Sequence, residues 1–247
     1  MPEAVRMWIE ISFNLAYLLV VWGLVAAMIR HQPMVAPADR RVANLVLWAF
    51  ALLALGDTGH VGFRVLAYAQ GGLETRLTIL GQPAGLVGLG ALTTAITVTI
   101  FYVLMLETWR ARFNPPYGWF GYLLLGAAVA RLLIMTLPAN QWNNVVPSQP
   151  WSTYRNLPLM LQGLGVAFLI LRDARAAQDR TFSWIGAMIL VSYACYIPVI
   201  FFVQQVPIIG MLMIPKTMAY VAIAFFAYQS LYGVKSPSAA TCIAHNP

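Results

Sequence analysis

Apolar residues run along this chain in seven stretches, each roughly twenty residues long or more, separated by short polar or proline-rich breaks. About 20 apolar residues is the length a helix needs to cross a hydrocarbon core of about 30 Å. The pattern predicts helices at about 8–29, 43–68, 84–109, 118–137, 155–171, 181–203 and 207–232. The breaks carry the residues that stop helices: Arg30-His31-Gln32-Pro33, the pair Gly71-Gly72, and Pro115-Pro116. Two longer connections follow, an amide-rich one at 138–154 and a charged one at 172–180. The expected fold is an all-α membrane protein. One seven-helix transmembrane bundle occupies 1–233, and a polar tail occupies 234–247. The first stretch lacks a basic leader and a small-residue cleavage site, and exceeds the core of a signal peptide, so it is expected to remain as the first span.

Composition strengthens this picture. Of 247 residues, 60% are hydrophobic and 9% charged, against about 25% charged in ordinary soluble domains. The net charge of +7 does not imply nucleic acid as a partner, because most cations sit in short loops between apolar stretches, where they orient helices. Cys195 lies inside an apolar stretch and Cys242 in the tail, at depths too different for a structural pair, and neither has metal-ligand spacing around it. No metal is expected.

Arginine and lysine counts on alternate connections set the orientation. Arg30, Arg40, Arg41, Arg110, Arg112, Arg172, Arg175, Arg180 and Lys235 fall on one side, and Arg6 and Arg76 on the other, with Arg155 at a helix end. Short basic loops stay cytoplasmic, so the amino terminus is expected outside and the carboxyl terminus inside.

Against this background a few buried charges stand out. In the second stretch Asp57, His60 and Arg64 fall within about 60° of one another on a helix, so they share one stripe. On a 1.5 Å rise Asp57 lies about 21 Å from the cytoplasmic edge, His60 about 25 Å and Arg64 at the outer boundary. By the same count Arg131 is about 20 Å up and Lys216 near the midplane, with Arg155 and Asn156 at the outer end. A charge at the centre of a spanning helix costs roughly 2.5–3.5 kcal/mol on insertion scales, so these groups must face one another, water or a ligand.

Two readings of the charges stay open. Asp57 pairs with Arg131 or Lys216 and holds the bundle together. Alternatively Arg64, Arg131, Arg155 and Lys216, which outnumber Asp57 and the nearby Glu10, await an anionic group. The second makes Asp57, His60, Arg64, Arg131, Arg155, Asn156 and Lys216 the ligand-binding set, in an outward-opening pocket formed by helices 2, 4, 5 and 7. Asp57 and His60 would be proton-linked, and they are also the candidates for acid–base catalysis.

Other residues carry lesser expectations. Thr93, Thr94, Thr97 and Thr99 read as packing positions that let a neighbouring helix approach. Gln162, Tyr193 and Tyr196 either line the pocket or bond across helices. Trp8, Trp109, Trp119 and Trp184 read as interfacial anchors. Pro198 and Pro215 are expected to kink their helices.

Leu137-Pro-Ala-Asn-Gln-Trp-Asn-Asn144, Tyr154-Arg-Asn-Leu-Pro158, Tyr196-Ile-Pro-Val199 and Gly210-Met-Leu-Met-Ile-Pro-Lys-Thr217 resemble strings in a family of small bacterial seven-helix membrane proteins of uncharacterised activity. Thr99-Ile-Phe-Tyr102 and Gly56-Asp-Thr-Gly-His60 extend that likeness, which implies a bacterial inner-membrane, multi-pass setting. A looser resemblance is to microbial rhodopsins. Lys216 matches their retinal-binding lysine in helix and approximate depth, and Tyr193-Ala-Cys-Tyr196-Ile-Pro198 is similar to their aromatic–proline pattern. The chain departs from them where helix 3 offers threonines in place of an acidic counter-ion. The expected function is binding of a small anionic or amphiphilic ligand for transport or sensing. The alternatives are an enzyme acting on a lipid or isoprenoid through Asp57 and His60, and retinal carried on Lys216, the cofactor that the looser resemblance implies.

Overall fold

The computed structural model describes residues 3–79 and 81–233; Lys235, Cys242 and the expected tail at 234–247 lie outside the described residues. Seven α-helices account for most of the chain: α1 Glu3–His31, α2 Arg40–Ala69, α3 Leu86–Phe113, α4 Gly118–Thr136, α5 Trp151–Ala176, α6 Arg180–Phe202 and α7 Met213–Leu231. Each belongs to a segment long and apolar enough to cross a membrane.

Local chemistry explains several helix ends. α3 closes at Asn114, whose left-handed backbone (φ 52°, ψ 33°) lets its N–H reach the Arg110 carbonyl, and Pro115-Pro116 then prevents continuation. α6 starts where the Asp179 side chain accepts the Phe182 N–H at 3.1 Å, an N-cap that satisfies an otherwise orphaned donor. α5 runs from Trp151 to Ala176, beyond the apolar stretch at both ends. Helical hydrogen bonding does not stop where hydropathy does.

One local feature departs from the sequence pattern. Between α2 and α3 a small antiparallel hairpin forms, β1 Arg76–Ile79 with β2 Gln82–Gly85, Arg76 standing opposite Gly85. Leu77 packs there against the buried group Ala67, Leu86 and Val87, together with Phe63, so the hairpin covers that end of the α2–α3 pair. Pro215 sits in the first turn of α7, directly after a 3-10 segment at Pro207–Leu212, and α6 continues as helix through Pro198 to Phe202.

Consecutive helices pack side by side, α1 meets α7 to complete the ring, and α3 also touches α5. The interior is aromatic: Phe50, Phe101, Tyr102, Trp109, Phe182, Tyr193, Tyr220 and Tyr232 all belong to one buried cluster. Trp119 is 78% exposed and Trp184 53%, but Trp109 is 1% exposed, which corrects its expected role as a membrane-facing anchor. Its indole N–H donates to Asp173 Oδ2 at 2.8 Å, drawing the ring between α3 and α5.

Ion pairs gather at the end holding the α1–α2, α3–α4 and α5–α6 connections. Arg112 reaches Asp39 and Asp179, both at 2.9 Å, and so joins all three connections. Arg41 and Arg110 each approach Glu107 at 3.8 Å.

Candidate functional site

The site begins with the close approach of α2 and α3. A Cβ added to Gly56 would lie 1.8 Å from Thr97 Oγ1, and one added to Gly59 would lie 2.6 Å from Thr93 Oγ1. On the facing side Gly90 lets α3 sit against the His60 backbone, which a Cβ there would meet at 3.0 Å. Small residues thus replace side-chain volume with backbone proximity, as in membrane helix pairs generally. The consequence is that Asp57, next to Gly56, lies beside Thr94.

Asp57 accepts two hydrogen bonds, from Thr94 Oγ1 at 2.6 Å and from the Tyr17 hydroxyl on α1 at 2.7 Å. These short bonds to a carboxylate are of the charge-assisted kind. Thr93 and Thr97 act as the expected packing positions, but Thr94 and Thr99 take part in the polar network, which corrects their reading as packing residues alone. The two donors hold Asp57 to α1 and α3, so the immediate partners of its carboxylate are hydroxyls and neither Arg131 nor Lys216.

Lys216 projects from the first turn of α7. The 3-10 segment before it rises about 2.0 Å per residue, so Lys216 lies at most about 17 Å from Pro207, well inside the span. Its Nζ stands over two rings, 4.7 Å from the centre of Tyr196 on α6 and 5.4 Å from that of Tyr220 on α7. Ring faces attract the ammonium without neutralising it. The Tyr220 hydroxyl shares a 2.7 Å hydrogen bond with that of Tyr102 on α3, and the Tyr193 hydroxyl donates to the Leu159 carbonyl at 2.8 Å. Two tyrosines therefore face the amine, and the Tyr220 hydroxyl ties one of them to Tyr102 of α3.

Arg131 is 2% exposed and Arg155 8%. Arg131 Nε donates to the Arg155 carbonyl at 3.0 Å and its Nη1 to Thr99 Oγ1 at 2.8 Å. Gln162 donates to the Thr99 carbonyl at 3.3 Å, so one threonine of α3 connects α4 and α5. Arg155 sits over the Trp142 ring at 4.2 Å and donates to Asn140 Oδ1 at 3.3 Å. Asn156 donates to the Ser152 carbonyl and accepts from the Tyr196 hydroxyl at 3.3 Å. Tyr196 is thereby the meeting point of two of these groups: its ring lies under Lys216 and its hydroxyl meets Asn156.

Among the described residues, none of Arg131, Arg155 and Lys216 has a carboxylate at ion-pair distance. His60 and Arg64 lie farther along the Asp57 stripe of α2, both partly buried and both engaged in interactions of their own. The structure thus brings Lys216 and Asn156 to Tyr196, ties Arg131 to the Arg155 carbonyl, and holds Asp57 to α1 and α3. Tyr17, Tyr102 and Tyr220 were not among the residues expected at the site, whereas Asn140 and Trp142 belong to the amide-rich connection expected at its outer end. The signal available for the tyrosines was a hydroxyl placed well inside an apolar stretch, where it must find a partner.

Comparison with family models, curated proteins and solved structures gives no match to this chain.

Proposed function

We propose that this protein lies in the membrane with its amino terminus outside and recognises a small anionic or amphiphilic ligand, for transport or sensing, at the cations around Tyr196. The observation that supports this reading is the charge balance: Lys216, Arg131 and Arg155 lie inside the bundle without a carboxylate at ion-pair distance among the described residues, and Asp57 is held by two hydroxyls. Buried charge without a counter-charge is costly, and an anion entering between α4, α5, α6 and α7 removes that cost. Asn156 and the tyrosine hydroxyls supply neutral donors and acceptors to orient it. The orientation rests on the arginines at the α1–α2, α3–α4 and α5–α6 connections. A bacterial inner membrane is the setting implied by the resembling strings.

The test is thermal stabilisation of the purified protein by acetate, decanoate, succinate and phosphate at constant ionic strength. At least one should raise the melting temperature saturably, and Lys216→Met and Arg155→Gln should remove that rise. If no anion stabilises the folded wild type, the reading is wrong.

A further inference from the structure

A second feature lies away from the Tyr196 site, at the end of the bundle that carries the ion pairs. Between the end of α3, the start of α4 and the end of α5 runs an open groove of about 510 Å³, walled by Pro116, Tyr117, Trp119, Phe120 and Phe168 with Arg172 at its rim. Its walls point outward: Trp119 is 78% exposed and Phe168 56%. Phe120 and Phe168 meet edge to face at 6.2 Å, which keeps the two walls together.

The rim is cationic. Arg172 binds Asp173 through Nε at 2.7 Å and Nη2 at 2.9 Å, which uses two of its five N–H groups and leaves the rest for another acceptor. Arg110 stands over the Tyr117 ring at 4.6 Å, so an aromatic wall residue holds a second guanidinium near the same rim. Both side chains are well exposed, 51% for Arg172 and 42% for Arg110. This end of the bundle carries Arg30, Arg40, Arg41, Arg110, Arg112, Arg172, Arg175 and Arg180 against Asp39, Glu107, Asp173 and Asp179. Its field is positive by several charges. Arginine presents its donors in a fork that suits phosphate oxygens.

We propose that this groove is a binding site for an anionic phospholipid, with the phosphodiester at Arg172 and Arg110 and an acyl chain along Trp119, Phe120 and Phe168. An apolar trough below a cationic rim, at the level where a spanning helix leaves the hydrocarbon, matches a lipid with net negative charge better than a zwitterionic one, whose own cation opposes the arginines. The volume lies within the usual range for a ligand pocket, about 300–1,000 Å³, and holds part of a chain and its headgroup.

The experiment equilibrates the full chain in nanodiscs of equimolar phosphatidylglycerol and phosphatidylcholine, releases it into mild detergent, and counts retained lipids by native mass spectrometry. The wild type should retain phosphatidylglycerol several-fold over phosphatidylcholine, and Arg110→Gln and Arg172→Gln should each bring the ratio towards one. Arg175→Gln, at the same end but outside this groove, should keep the wild-type ratio. Equal retention by the wild type, an unchanged ratio in both groove variants, or an equal loss in Arg175→Gln would each overturn the proposal. Because Arg110 takes no part in the Asp173–Trp109 contact, its variant separates lipid binding from damage to the α3–α5 packing.

Discussion

Tyr17 and Asp57 meet across the α1–α2 interface through a 2.7 Å hydrogen bond, and this contact together with Thr94 fixes the position of the acidic group nearest the candidate site. Tyr17→Phe removes one donor and keeps the ring volume. The expected loss is about 1–2 kcal/mol, the size of a hydrogen bond to a charged group reduced by what membrane helices recover elsewhere. Thr94→Val should cost a similar amount. Thermal unfolding in one detergent measures both, and stability equal to wild type in both variants would mean that these hydroxyls do not hold the carboxylate.

Gly56 and Thr97 are in closest contact where α2 and α3 cross. Gly56→Ala forces a methyl into the space of the Thr97 side chain and should destabilise the protein by about 1–3 kcal/mol, the usual cost of overpacking. Thr97→Ala in the same chain should recover part of that loss. Gly62, beside which a Cβ meets nothing within 4 Å, serves as the control, and Gly62→Ala should leave the melting temperature unchanged or slightly higher.

The seven long apolar helices were legible because a helix able to cross a membrane needs about 20 apolar residues in succession, a length that stretches such as 8–29 and 181–203 show directly. The cations Arg131, Arg155 and Lys216 were legible for the converse reason, since charge at that depth has few explanations. What hydropathy does not encode is rotation about each helix axis. Placing Tyr196 beneath Lys216, or Thr94 beside Asp57, depends on packing made possible by Gly56, Gly59 and Gly90. The hairpin at β1 and β2 was equally hidden, because four-residue strands with Gly and Pro carry little alternation. Trp109 misled because the sequence shows an aromatic at a span end, and the buried partner Asp173 is on another helix.

The connection between α4 and α5 docks on α3 through backbone contacts. A Cβ on Gly88 would lie 1.3 Å from the Trp142 carbonyl, and Gly85 N–H donates to Asn143 Oδ1 at 3.1 Å. Gly88→Ala should displace this segment and raise amide hydrogen exchange across residues 138–150 while leaving α5 protected. Exchange rates unchanged in that segment would show that the docking is not needed to order it.

Arg112 joins Asp39 and Asp179 at the charged end. Arg112→Gln should lower stability by about 1 kcal/mol, because the pairs are partly exposed, and the difference from wild type should shrink as salt rises. Melting curves at low and high ionic strength would show this, and a salt-independent loss would point instead to the packing of Arg112 on Phe182, whose ring lies 5.4 Å from its guanidinium.

The most direct test of the anion site around Tyr196 is isothermal titration of the purified protein with the anion that stabilises it most, at fixed ionic strength. The account predicts saturable binding at one site in the wild type. In Lys216→Met and Arg155→Gln binding should weaken by tenfold or more while helical content stays intact, a loss of about 1.4 kcal/mol or more for each cation removed. Affinity unchanged in both variants, with both still folded, would contradict it.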